Sequence, residues 1–165
     1  PIDIVVSSPL VRAVQTAEAF GREFRVVDDL REFDFGPGAW LPPEEHREQR
    51  DDLALWQAHH GLPGGDTILG FQTRVTGALA GLVGAHAGQT VALFVHSGVI
   101  DAAIRWAYGL PLDADWVTEV TCPNGSISEI VHWHEGRHRS GAPRHSVIAR
   151  IGDVRHLGKG ELSEL

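Results

Sequence analysis

Methionine is absent from this 165-residue chain, and cysteine occurs once, at Cys122. A single thiol excludes an internal disulfide, which suits a reducing compartment, so a cytoplasmic location is expected. Cys122 itself reads as a small, partly buried side chain. Long apolar stretches are missing as well. Uninterrupted runs such as Val91-Ala92-Leu93-Phe94-Val95 are far too short to cross a bilayer, and no membrane association is expected. Positive charge is scarce: Lys and Arg total 14 against 22 Asp and Glu, for a net charge of −8. That balance argues against nucleic acid or an anionic membrane surface as partner, while leaving room for a local arginine pocket. Five tryptophans without a basic stripe do not make a nucleic-acid platform. Neither a P-loop nor a dinucleotide fingerprint is present.

The chain does have a core and an alternating pattern. At 42% hydrophobic, residues 1–165 fit one globular domain, and a chain this size buries roughly two-thirds of its unfolded surface. Strand Ile2 to Ser7 leads into a helix from Pro9 to about Phe24, then a short strand, Arg25 to Val27. Past Gly36-Pro37-Gly38 and Pro42-Pro43, a polar helix is expected from about Glu44 to His59. Asp66 is placed to cap a helix bearing Val75, Ala78, Leu79, Leu82 and Val83 on one side. Val91 to Val95 has the continuous apolar character of a strand buried on both faces. A helix from Val99 to Tyr108 comes next, stopped by Gly109-Leu110-Pro111. Strand-like segments are Trp116 to Thr121, Ile127 to Trp133 and Val147 to Ile151. The βαβα order predicts a three-layer α/β/α sandwich with a mostly parallel sheet.

The most informative run is Ser7-Ser8-Pro9-Leu10-Val11-Arg12-Ala13-Val14-Gln15-Thr16-Ala17-Glu18. Ser8 is suited to N-cap a helix and Pro9 to occupy its first position. Leu10, Ala13, Val14 and Ala17 form one apolar face. Arg12 lies off that face in the first turn, where its fork and the helix dipole both favour an anion. Taken alone, the run also fits a capped helix with a solvated arginine. A second feature is His96-Ser97-Gly98 at the carboxyl end of the apolar strand, where open α/β sheets bind ligands. In isolation His96 fits a satisfied histidine at a strand end equally well. A third is Leu30-Arg31-Glu32-Phe33-Asp34-Phe35-Gly36.

In this order the segments resemble the histidine phosphatase (phosphoglycerate mutase-like) superfamily. Weaker echoes are Pro63-Gly64-Gly65-Asp66-Thr67 with Arg74, Asn124-Gly125-Ser126-Ile127, and Ile151-Gly152-Asp153-Val154-Arg155-His156-Leu157. The resemblance implies that Arg12 and His96 hold the transferring phosphoryl group and that Glu32 moves the proton; Ser97, though it departs from the pattern, keeps a backbone N–H able to reach a phosphate oxygen. His96 and Glu32 are thus the catalytic candidates, with Arg12 and Ser97 as phosphate-binding residues. A carboxyl beside a phosphate dianion holds its proton more tightly, which suits donation to a leaving oxygen. Two departures stand out. Ser97 replaces a usual glycine, and Gly36-Pro37-Gly38-Ala39-Trp40 replaces Gly-x-Trp-Glu-Gly. Asp101, one turn beyond His96, is expected to repel anions at the pocket mouth.

The resemblance also implies a nucleophilic histidine in an Arg-His-Gly segment that would precede Pro1. The given residues are thus expected to lack the first strand and helix of the domain. The reaction implied is hydrolysis of a small-molecule phosphate ester through a phosphohistidine, with no cofactor and no metal; a homodimer is left open. Two other readings stand beside it: an inactive phosphate-ester-binding or protein-interaction relative, and a zinc-dependent hydrolase. The latter rests on His134-Glu135-Gly136-Arg137-His138, which matches His-Glu-x-x-His and requires a helix. The absence of methionine excludes a Met-turn protease, and the β-branched residues after Asn124-Gly125 favour a strand instead.

Overall fold

A computed structural model describes residues 1–37, 64–112, 120, 122–133 and 145–158. The expected helix at Glu44 to His59, all but Val120 of the expected strand Trp116 to Thr121, and the run His134 to His138 lie outside them.

Strand β1 (Ile4–Ser7) leads to helix α1 (Val11–Ala19), strand β2 (Arg25–Val26) and a 3-10 turn at Asp28–Leu30. Next come helix α2 (Ile68–Ala85), strand β3 (Val91–Phe94) and helix α3 (Ser97–Tyr108), and the antiparallel pair β4 (Ile127–Trp133) and β5 (His145–Asp153) closes the order. Strands β2, β1 and β3 lie side by side, with β1 parallel to both neighbours. The protein is therefore the α/β fold with a parallel sheet that the sequence pattern predicts.

Alternation along the strands builds the layers. Ile4 and Val6 of β1, and Val91 and Leu93 of β3, join one core with Phe71, Val75, Leu79 and Leu82 of α2 and Val99 and Ala102 of α3. On the opposite face, α1 buries Ala13 and Ala17, and Phe20 meets Phe94 of β3 at 5.4 Å between ring centres. The sheet thus lies between α1 and the α2/α3 pair. Leu30 and Phe71 are fully buried, and a side chain of this size contributes roughly 1.5–3 kcal/mol on burial.

Several boundaries differ from the sequence pattern. Helix α1 begins at Val11, not Pro9, because Ser8 Oγ accepts from Leu10 N–H at 3.3 Å while Pro9 and Leu10 are still non-helical. It also ends early, at Ala19, and Gly21 adopts φ +74° just beyond. Thr67, not Asp66, caps α2 by accepting from Gly70 N–H. The end of α3 agrees with expectation. Gly109 takes φ +69°, its N–H reaching Trp106 O and that of Leu110 reaching Arg105 O, a Schellman motif. Residues 127–133 form a strand paired with β5, so the helix through them that the zinc-site reading needs does not form. Among the described residues no helix is long and apolar enough to cross a membrane.

Candidate active site

Parallel pairing places the carboxyl ends of β1 and β3 side by side, with Ser7 opposite Phe94. Ser8 continues the ladder through its N–H to Phe94 O at 2.9 Å. The segments leaving the two strands therefore meet at one edge of the sheet: Ser8 and Arg12 after β1, His96 and Ser97 after β3. This is the position at which open α/β folds bind ligands.

His96 is the residue immediately before α3 and is 8% exposed. Its Nδ1 accepts from Arg12 Nε at 3.1 Å. A guanidinium only donates, so the ring proton sits on Nε2, which donates to Ser8 Oγ at 2.8 Å. Burial and, secondarily, the Arg12 charge lower the His96 pKa to about 4, leaving the ring neutral near pH 7. Arg12 itself is exposed. Among the described residues no carboxylate pairs with it, whereas Arg31, Arg74, Arg105, Arg150 and Arg155 each have one.

Glu32 reaches the same edge from the turn after β2. Its Oε1 accepts from Phe33 N–H at 2.8 Å and its Oε2 from Gly98 N–H at 3.0 Å. The carboxylate thus rests on the first turn of α3, two residues past His96. A Cβ on Gly98 would push this carboxylate aside, so glycine lets it rest there. Ser97 is the first residue of α3 and half-exposed. The structure thus gathers Arg12, His96, Ser97 and Glu32 at one end of the sheet, with Arg12 and His96 in direct contact.

Asp101 corrects its expectation. It is 2% exposed rather than at the pocket mouth, with Oδ2 taken by Arg105 Nε at 2.6 Å and Oδ1 by Val120 N–H at 3.0 Å. Sequence reasoning cast Ser8 as a helix cap and missed it as the acceptor for His96 Nε2. Its position directly after β1, beside the strand that ends at His96, was the available signal. His132, one of ten histidines, shares a hydrogen bond with Ser146 Oγ through Nδ1 at 2.8 Å and packs at a tilt against Trp106, 4.7 Å between ring centres. Among the described residues no three His, Cys, Asp or Glu side chains group as a metal site requires. A shallow hollow of about 490 Å³, lined by Asp3, Arg22 and Arg25 among others, includes none of the four candidates.

A model of the histidine phosphatase superfamily, branch 1, matches residues 1–141. This chain belongs to that superfamily. It is 29% identical to phosphoserine phosphatase 1 of Hydrogenobacter thermophilus, over 96% of this chain and 74% of the relative. The solved structure of YhfR from Bacillus stearothermophilus superposes with a TM-score of 0.70 at 26% identity, over 94% of this chain and 76% of that one. A mycobacterial glucosyl-3-phosphoglycerate phosphatase in complex with inorganic phosphate shares the fold, with a TM-score of 0.69 at 21% identity, over 92% of this chain and 77% of that one. The class of enzyme in which the chain stands is that of the phosphatases.

Proposed function

We propose that the protein hydrolyses small-molecule phosphate monoesters through a phosphohistidine, without a metal ion. The reading rests on one observation above all: a cationic Arg12, free of any carboxylate among the described residues, lies against neutral His96 where two parallel strands end. A phosphoryl group entering there meets the guanidinium, the imidazole and the first turn of α3 together. Preorganised donors of this kind stabilise the charge that spreads over the equatorial oxygens in phosphoryl transfer.

The nucleophile is assigned to a histidine outside the residues of this chain. Its ring nitrogen forms the N–P bond as the ester P–O bond breaks, and Glu32 hands the leaving oxygen a proton. Water then attacks phosphorus, Glu32 takes a proton from that water, and the N–P bond breaks to release phosphate. Splitting the transfer into two displacements is the benefit of covalent catalysis. To hold a phosphoryl oxygen, His96 turns its single N–H, on Nε2, from Ser8 Oγ to that oxygen; the ring is not itself phosphorylated.

The intact protein should hydrolyse a nitrophenyl phosphate in the presence of chelator and be inhibited by vanadate. Loss of turnover with chelator, or full activity in Arg12→Ala and His96→Ala, would refute the proposal. Ser97, where the family pattern has glycine, favours a second reading: a relative that binds phosphate esters without turning them over. Phosphate affinity that depends on Arg12, with no hydrolysis by the intact protein, would establish it.

A further inference from the structure

Two charged side chains have no part in the chemistry above: Asp66, just ahead of α2, and Arg74 within it. They pair at 2.7 Å, with the Arg74 side chain 13% and the Asp66 side chain 18% exposed. An ion pair near the surface is ordinarily worth little by itself. This one is threaded through backbone. Arg74 Nη1 donates to the carbonyls of Asp29 and Arg31, each at 3.0 Å. Asp66 Oδ2 accepts from Asp34 N–H at 3.1 Å, and Asp66 N–H donates to Asp34 O at 2.7 Å. Arg74 also lies 5.2 Å from the centre of the Phe71 ring, which packs edge-on to Phe33 at 5.3 Å. Gly65 allows the two segments to close, since a Cβ there would stand 2.8 Å from Gly36 N. One residue lies between the anchored Arg31 carbonyl and the packed Phe33 ring, and it is Glu32.

We infer that Arg74 and Asp66 are positioning residues for the Glu32 carboxyl. They hold the peptide on both sides of it, so that the acid stays against the first turn of α3. The catalytic meaning of that role rests on reading Glu32 as the proton donor. Proton transfer needs heavy atoms within about 2.6–3.2 Å, and a displacement of about 1 Å can cost about a hundredfold in rate. A half-buried side chain on an irregular segment has no such precision of its own.

Two measurements on the intact protein separate the role from the reading. Gly98 N–H donates to Glu32 Oε2, so its hydrogen exchange reports where the carboxyl is. Glu32→Ala sets the full loss of protection. Arg74→Ala and Asp66→Ala should each speed exchange at Gly98 and Phe33 by about tenfold or more, with β1 and the middle of α2 unchanged. Arg74→Lys keeps the charge beside Asp66 but loses the double grip on the two carbonyls, and supplies the test should the alanine variant fail to fold. Wild-type protection at Gly98, or a uniform loss through β1 and α2, would overturn the inference.

The second measurement is kcat/KM, which reports the displacement that expels the leaving group, across phosphate esters from nitrophenyl to alkyl. Nitrophenolate departs without a proton, whereas an alkoxide needs one. Arg74→Ala should therefore lose about tenfold more on alkyl than on nitrophenyl esters, in parallel with Glu32→Gln. Equal loss on every ester, while Glu32→Gln discriminates, would mark Arg74 as merely structural and overturn the inference. A flat profile for Glu32→Gln would instead remove Glu32 as the acid, and amide exchange alone would then decide the grip.

Discussion

Two arginines, one in α1 and one in α3, show opposite designs. Arg105, within α3, is 8% exposed and grips Asp101 one turn earlier at 2.6 Å, and Asp101 is completed by Val120 N–H. Arg12, at the start of α1, is exposed and leans on a neutral imidazole. In the first case the charge is cancelled and buried. In the second it is aimed at one place but left unneutralised among the described residues. A cation held in position without a counter-charge is what an anionic ligand needs. On the proposed function, the same residue type contributes to stability at one site and to binding at the other.

The contrast is sharpest in the stability of the two removals. Asp101→Ala takes the carboxylate away from a buried guanidinium and should cost about 3–5 kcal/mol in denaturant unfolding. Arg12→Ala should cost no more than about 1.5 kcal/mol, since the side chain is exposed apart from its one hydrogen bond to His96 Nδ1. Turnover should rank them the other way. Arg12→Ala is expected to lower kcat/KM by about 10²–10³-fold, the range for one preorganised donor to a developing anion. Equal stability losses in the two variants would end the comparison.

A smaller effect comes from His96. Its folded pKa, about 4, lies below the ordinary 6.5. Between these values the unfolded chain binds the extra proton, so stability falls as the pH drops from about 6.5 towards 4. The loss attributable to this ring is on the order of 3 kcal/mol. Denaturation at pH 7 and pH 4.5, in wild type and His96→Gln, isolates it; the variant should show the shallower dependence. The smallest effect expected is at Gly109, where φ is +69°. Gly109→Ala should cost about 1 kcal/mol in thermal or denaturant unfolding and leave phosphate binding untouched.

The fold was legible wherever one local rule acted alone. The apolar run at Val91 makes β3, and Gly109 stops α3 as a left-handed cap. Boundaries shifted where a side chain had two suitors. Ser8 has the chemistry of a helix cap, but its hydroxyl also receives His96 Nε2, a partner 88 positions away that no local pattern shows. Asp101 was misplaced for the opposite reason. Arg105 stands four residues on, the helical spacing for an ion pair, and that near partner outweighs any distant anion. The four site candidates were legible as an ordered set of segments, while their joining through Ser8, Gly98 and Arg74 is tertiary and had to be seen.

Besides the chemistry proposed for it, His96 has a structural place. It is both the ring that faces Arg12 and the residue from which α3 starts, its carbonyl receiving Ile100 N–H at 3.0 Å. An anion caught at this corner finds its partners only while α3 is wound and the strands are paired. On the proposed function, occupancy and folding are then a single equilibrium: inorganic phosphate at a hundred times its Kd would add about 2.7 kcal/mol to the folded state. The melting curve becomes a gauge of the corner's contents, readable without a substrate or a product.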